Sequence, residues 1–303
     1  MSTKKQRFSH TYRIAAGFLT VLFFVFLFFA LSLPAHAADT GKQPASADDI
    51  PSFPVFLDGK ATGFRAPVFR EGTTFLPLSL LARMLLAENT FSFDRNTGKA
   101  SVTGDALSVH AAAGEIHIEA NGRYFALSAQ KPAENLLYNG QLYVPVRTGA
   151  RAFGGDVFWD AERKAVCLSR GTGTVVSGEA FYDADTLYCL SHILSSEAGD
   201  QPLCGQLAVG AVIMNRVKSP EFPDTVRGVV FDRRGAVQFT PTANGTYWKE
   251  PQSLSVTAAK LILDGCLVSD EALYFLDPRI ATNFWIPQNR TYLFSAGDHD
   301  FYS

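Results

Sequence analysis

Between residues 53 and 170 the chain says nearly the same thing twice. The first copy runs Leu57-Asp58-Gly59, then EGTTFLPL (71–78), LSLLARML (78–85) and FSFDRNTGKASVT (91–103). The second runs Ala120-Asn121-Gly122, then NGQLYVPV (139–146), RTGARAFGG (147–155) and VFWDAERKAVCLS (157–169). Each copy reads as a turn, a short strand ending in proline, a helix of one or two turns, and a hairpin. Asp-Gly and Asn-Gly favour tight hairpin turns, and DRNTGK and DAERK sit between alternating strands. Pro77 and Pro145 end strand pairing and suit the first turn of a helix. A unit this small buries little apolar surface alone, so the two copies are expected to pack as one domain.

The ends set the compartment. Lys4, Lys5, Arg7 and Arg13 precede an uncharged run from Ile14 to Leu33, followed by Pro34 and Ala35-His36-Ala37. This order is that of a secretory signal peptide over 1–37, cut after Ala37. At about 1.5 Å per residue the run is also long enough for an uncleaved anchor, the only reading in which the chain meets a membrane. Either way the remainder lies outside the cytoplasm, as a secreted or surface-held chain. Residues 38–52 form a polar spacer. A second break at 171–180 separates a strand-rich region from a helix-rich one, residues 181–303. The formal net charge of −2 argues against nucleic acid as a partner. Cys167, Cys189, Cys204 and Cys266 allow a bridge or simple burial. No cofactor is implied, and His110 and His117, seven apart, make a poor metal pair and read as surface or packing residues.

The chemistry points to residues 181–303. Asp183 or Asp185 can cap a helix running to about Ala198. Leu190, Ile193 and Leu194 precede Glu197 by same-face spacings, so Glu197 continues an apolar stripe. Partial burial there raises a carboxyl pKa, the requirement for an acid that keeps its proton near neutrality. A second helix over about 205–217 is apolar nearly all round and therefore central; Asn215 and Arg216 at its end need partners. A third spans about Ser253 to Asp264, stopped by Gly265. The loop from Gln238-Phe239-Thr240-Pro241 to Asn244-Gly245 carries the amides and rings that recognise sugars. Strands over ALYFLDP and RTYLFSAGDHDFY close the region.

The first region, with Pro145, Arg147, Trp159 and Asp160 matching well and Ser79 standing where the first copy should carry Arg, resembles the copper amine oxidase N-terminal-like domain. That resemblance implies neither copper nor oxidase chemistry; the domain reads as a wall-binding or positioning module. Glu197-Ala-Gly, Gly205-Gln206, SPEFPDTVRGVVF (219–231), Gln238 to Gly245, Ala272 to Phe275 and GDHDFY (297–302) resemble the spore cortex-lytic (SleB-like) cell-wall hydrolase family. This implies an α+β chain with a reduced lysozyme-like catalytic domain. It also implies cleavage of peptidoglycan strands between N-acetylmuramic acid and N-acetylglucosamine by lytic transglycosylase chemistry, with Glu197 as the acid. Gln238, Phe239, Asn244, Tyr274 and His299 are the expected substrate-binding residues, with no metal. Asp277 departs from the family's usual Asn.

A hydrolytic pair needs a second carboxylate at a set separation. Glu221, Asp224 and Asp200 lie in loops, so Glu197 acting alone is the preferred reading. Hydrolytic muramidase or N-acetylglucosaminidase action is the alternative, and a non-catalytic peptidoglycan-binding protein is the alternative of another class. A zinc amidase lacks an HExxH-type ligand set, and a serine hydrolase lacks its G-x-S-x-G elbow. His192 lies five residues before Glu197 and reads as a packing residue.

Overall fold

The computed structural model describes residues 50–69, 72–127, 134–171, 174–234 and 237–303. The signal peptide, the alternative anchor and nearly all of the spacer fall outside them. Among the described residues no helix is long and apolar enough to cross a membrane.

The repeat is visible as geometry. In the first copy, β1 (Ser52–Leu57) and β2 (Lys60–Pro67) form a hairpin, β3 (Phe75–Pro77) leads into α1 (Leu78–Leu85), and β4 (Thr90–Asp94) pairs with β5 (Lys99–Thr103). After an extra strand, β6 (Ser108–Ala112), the second copy repeats this order. Its elements are β7 (His117–Ala120), β8 (Arg123–Ala126), β9 (Leu136–Tyr138), β10 (Gln141–Pro145), α2 (Val146–Ala152), β11 (Asp156–Asp160) and β12 (Ala165–Ser169). Asp58-Gly59 and Asn121-Gly122 occupy the opening turns with φ of 49°, 77°, 48° and 78°. Positive φ at both central residues matches the turn to strand twist.

The copies interlock around a pseudo-twofold axis. β3 and β10 pair antiparallel with Leu76 opposite Val144, Phe75 opposite Pro145 and Pro77 opposite Tyr143. The four-stranded sheet β11-β12-β1-β2 joins the closing hairpin of one copy to the opening hairpin of the other. The five-stranded sheet β4-β5-β6-β7-β8 does the reverse, with β6 inserted. Leu81 of α1 and Gly149 of α2 are equivalent positions that meet at the axis. A Cβ at Gly149 would stand 2.6 Å from Leu81 Cδ1 and 2.9 Å from Val144 Cγ2. The expected co-packing of two small units is thus a shared core containing Leu76, Leu81, Val144 and Phe153.

The helical half starts earlier than the sequence suggests. Inside the expected linker, α3 (Gly178–Phe181) is capped by Ser177 and anchored by the Gly178 amide on Asn121 O at 2.9 Å. Then come α4 (Ala184–Ala198), capped by Asp183, and the central α5 (Leu203–Lys218). They are followed by α6 (Val226–Val230), α7 (Pro241–Asn244) with a 3-10 turn at Thr246–Trp248, and α8 (Ser253–Leu263). The C-terminal sheet has the order β13-β15-β14, from β13 (Tyr274–Leu276), β14 (Tyr292–Ala296) and β15 (His299–Tyr302), with α9 (Trp285–Asn289) between β13 and β14. α4, α5, α6 and α8 enclose a second core around Leu190, Ile193, Val212, Tyr247 and Ile262. A strand-rich half with mostly antiparallel sheets is followed by a helix-rich half, an α+β arrangement as expected.

All described residues belong to one compact unit. Strand β8 lies on α8: Arg123 pairs with the buried Asp264 at 2.9 Å, and Asp264 also accepts the Ala126 amide at 3.0 Å. A buried carboxylate needs such full pairing. The Tyr182 hydroxyl accepts the Tyr124 amide, and Lys260 lies over the Tyr124 ring. His117 stacks on Tyr124, whereas His110 is exposed beside Ser108. Cys167, Cys189 and Cys266 are buried and Cys204 is exposed; no disulfide joins them.

Candidate active site

Glu197 sits in the last turn of α4. Leu190, Ile193 and Leu194 are buried in the core beneath it, the stripe that the spacing predicts. The helix end is fixed from several sides. Ser195 Oγ accepts the Gln252 amide at 3.1 Å, tying α4 to the start of α8. A Cβ at Gly199 would meet Ser195 O at 2.3 Å and Gln252 Nε2 at 2.7 Å, so the close approach requires glycine. The chain then turns sharply, Gln201 donating its amide to Ala198 O at 3.0 Å. The carboxyl is thereby left half-buried at the wall of a cleft of ≈ 750 Å³. Burial pushes its pKa up to about 7, since desolvation penalises the charged form.

Ion pairs hold another part of the cleft lining. Asp277 accepts Arg279 at both carboxylate oxygens, 3.0 Å from Nε and 2.7 Å from Nη2. These bonds hold the Asp277 pKa down at about 2. Arg279 also reaches Asp298 at 2.9 Å. One cleft thus holds a carboxyl that retains its proton up to about pH 7 and a carboxylate that stays ionised there, the environmental contrast that separates acid from anion. Asp200 lines the cleft as well, and its Oδ1 accepts Gln201 Nε2 at 3.1 Å. Gln201, 4% exposed, donates the same group to Asp298 and accepts the Asp298 amide.

Aromatic rings line the remaining wall. Arg216, the α5 terminus expected to need partners, donates Nε to Leu273 O at 2.7 Å and lies over Phe222 and Tyr274. Asn215 bonds Ser269 O and Ala272 O. Arg290 donates to the Tyr274 hydroxyl at 2.8 Å and covers the Tyr274 and Trp285 rings. Trp285 is 48% exposed and borders the cleft.

The structure brings Glu197, Gln238, Tyr274 and His299 to this one cleft. His299 is buried against Phe275, and desolvation lowers its pKa. Two expected binding residues are elsewhere. Phe239 is 1% exposed and packs in the core against Phe275; the ring is a wedge beneath the cleft and cannot meet a sugar. Asn244 ends α7 and uses its Oδ1 to accept Thr246 N and Oγ1; it is a turn-former away from the cleft lining. His192 is a packing residue, its Nδ1 2.9 Å from Tyr247 O and its ring stacked on Tyr188. Gln201, Arg279 and Trp285 stand outside the residues expected from sequence. Trp285 lies in NFWIPQN (283–289), which carries the same ring-and-amide signal as residues 238–245. Among the described residues no cluster of His, Cys, Asp or Glu is placed to hold a metal ion.

Residues 200–302 match the family model described as cell wall hydrolase. The C-terminal domain belongs to that family. Glu197 lies just before the matched segment. Ahead of the hydrolase domain, residues 56–168 match the copper amine oxidase N-terminal domain. The hydrolase domain is 38% identical over 120 residues to the spore cortex-lytic enzyme of Oceanobacillus iheyensis, covering 40% of this chain and 42% of that protein. It is 38% identical over 97 residues to that of Bacillus subtilis, covering 32% and 31%. The chain thus spans less than half the length of these curated relatives. Among solved structures it is similar to the catalytic domain of the germination-specific lytic transglycosylase SleB from Bacillus anthracis. There the identity is 32%, covering 43% of this chain and 100% of that one, with a TM-score of 0.37.

Proposed function

We propose that the protein is exported and cleaves peptidoglycan glycan strands between N-acetylmuramic acid and N-acetylglucosamine, in spore cortex or cell-wall turnover. The observation that carries this reading is a carboxyl with a pKa of about 7 at the wall of an amide- and ring-lined cleft, in a domain of the cell wall hydrolase family. Protonated Glu197 donates its proton to the bridging glycosidic oxygen as the C1–O bond breaks. Positive charge develops on the sugar ring. The resulting carboxylate then takes the proton of the muramic acid C6 hydroxyl while O6 bonds to C1. The products are a 1,6-anhydro end and a new free hydroxyl, and the carboxyl is regenerated. General acid–base action of this kind contributes about 10²–10⁴-fold.

The ionised Asp277 supports a hydrolytic alternative, because it supplies a second carboxylate in the same cleft. Against it, both Asp277 oxygens accept from Arg279, and Asp200, the other carboxylate of the lining, has Oδ1 engaged by Gln201. The test is clearing of purified wall sacculi by the protein and by Glu197→Gln, followed by mass spectrometry of released fragments. Loss of clearing in the variant and anhydro-muramic ends in the products are expected. Equal clearing overturns the role of Glu197, and reducing ends establish hydrolysis instead.

A further inference from the structure

The pseudo-twofold axis gives the repeat domain two equivalent faces. One lies between β8 and β11 across α2. The other lies between β2 and β4 across α1. On the first side β8 meets the helical half, Asp264 taking the Ala126 amide, and Arg151 of α2 lies over Phe125. The second face is an open cleft of ≈ 580 Å³, in the size range of ligand sites.

The lining of the open cleft has a consistent chemistry. Phe64 and Phe91 are 45% and 38% exposed, with Tyr143 beside them. Gln141 adds an amide at the edge. Arg65 and Arg83, the latter the counterpart of Arg151, supply two guanidinium groups, and no Asp or Glu contributes to the lining. Arg65 is steadied by Ser52, which accepts from its Nε at 2.9 Å. Among the described residues neither arginine pairs with a carboxylate. This is a local cationic site on a chain of net charge −2.

We propose that this cleft binds a carboxylate-bearing amino-sugar strand, the wall polymer itself, at a distance from the cutting site. Ring faces suit pyranose C–H surfaces, the amide suits hydroxyl and acetamido groups, and the arginine forks suit carboxylates. The proposal rests on the reading that peptidoglycan is the substrate.

The test uses full-length Glu197→Gln, which cannot cut, sedimented with insoluble sacculi. Adding Arg83→Glu is expected to weaken binding about tenfold, the scale of one charge-assisted contact, and Phe91→Ser by a similar factor through the lost ring face, both with unchanged thermal midpoints. Arg83→Lys is expected to retain most of the binding. Amidation of the wall carboxylates is expected to abolish the difference between the Arg83→Glu protein and its parent. Undiminished binding by the Arg83→Glu protein overturns the site, and so does an Arg83-dependent preference for anionic phospholipid vesicles over sacculi. In either case wild-type clearing of sacculi still stands as separate evidence for the reaction, whereas failure to clear them is a failure of the functional reading alone.

Discussion

Gln201 Oε1 accepts the backbone N–H of Asp298 at 2.8 Å, and this bond joins the turn after the Glu197 helix to the C-terminal hairpin. The segments that carry Glu197 and Asp277 are therefore joined through Gln201, Asp298 and Arg279. Gln201→Ala leaves the Asp298 amide without its acceptor and removes two donor contacts. A stability loss of about 1–3 kcal/mol is expected, seen in chemical denaturation, with kcat changed more than KM.

The Glu197 carboxyl links stability to pH. Its folded pKa, about 7, lies above its ordinary 4.5. Its stabilising contribution is therefore complete below about pH 4.5 and is lost as pH rises through 7. The gap corresponds to about 3 kcal/mol. Glu197→Gln should therefore gain stability relative to wild type between pH 4 and pH 8, measured by urea titration at each pH. A constant difference across that range contradicts the burial argument. Glycan cleavage is expected to decline above pH 7 as the acid loses its proton.

Asp277 separates the two chemistries. Asp277→Asn keeps an oxygen for Arg279 but removes the negative charge. With Glu197 acting alone, cleavage is expected to fall less than about tenfold; a second catalytic carboxylate predicts a loss of about 10²-fold or more. Initial rates on sacculi decide between them.

Gly149→Ala places a methyl against Leu81 and Val144 at the pseudo-twofold axis. Overpacking of this kind costs about 1–3 kcal/mol. The expected result is a lower thermal midpoint, with an unchanged rate per folded molecule.

The legible parts of the molecule are those written in short-range pattern. The stripe from Leu190 to Glu197 needs only helical spacing, and the Pro77 and Pro145 steps need only local backbone rules. Phe239 misleads because an aromatic in a polar loop looks the same whether it faces solvent or core; contact with Phe275, far along the chain, decides. Asn244 misleads because an amide beside Gly245 serves a turn as readily as a ligand. Gln201, Arg279 and Asp298 escape because their meaning lies in pairing between segments distant in sequence.

The Leu81–Gly149 contact makes the two copies non-interchangeable. Two first units would set leucine against leucine at the axis, and two second units would leave glycine facing glycine over a void. Each half has become the other's mould, so a substitution on one side is to be read against the residue it meets on the other. The symmetry survives in the backbone while the side chains have specialised into lock and counterpart.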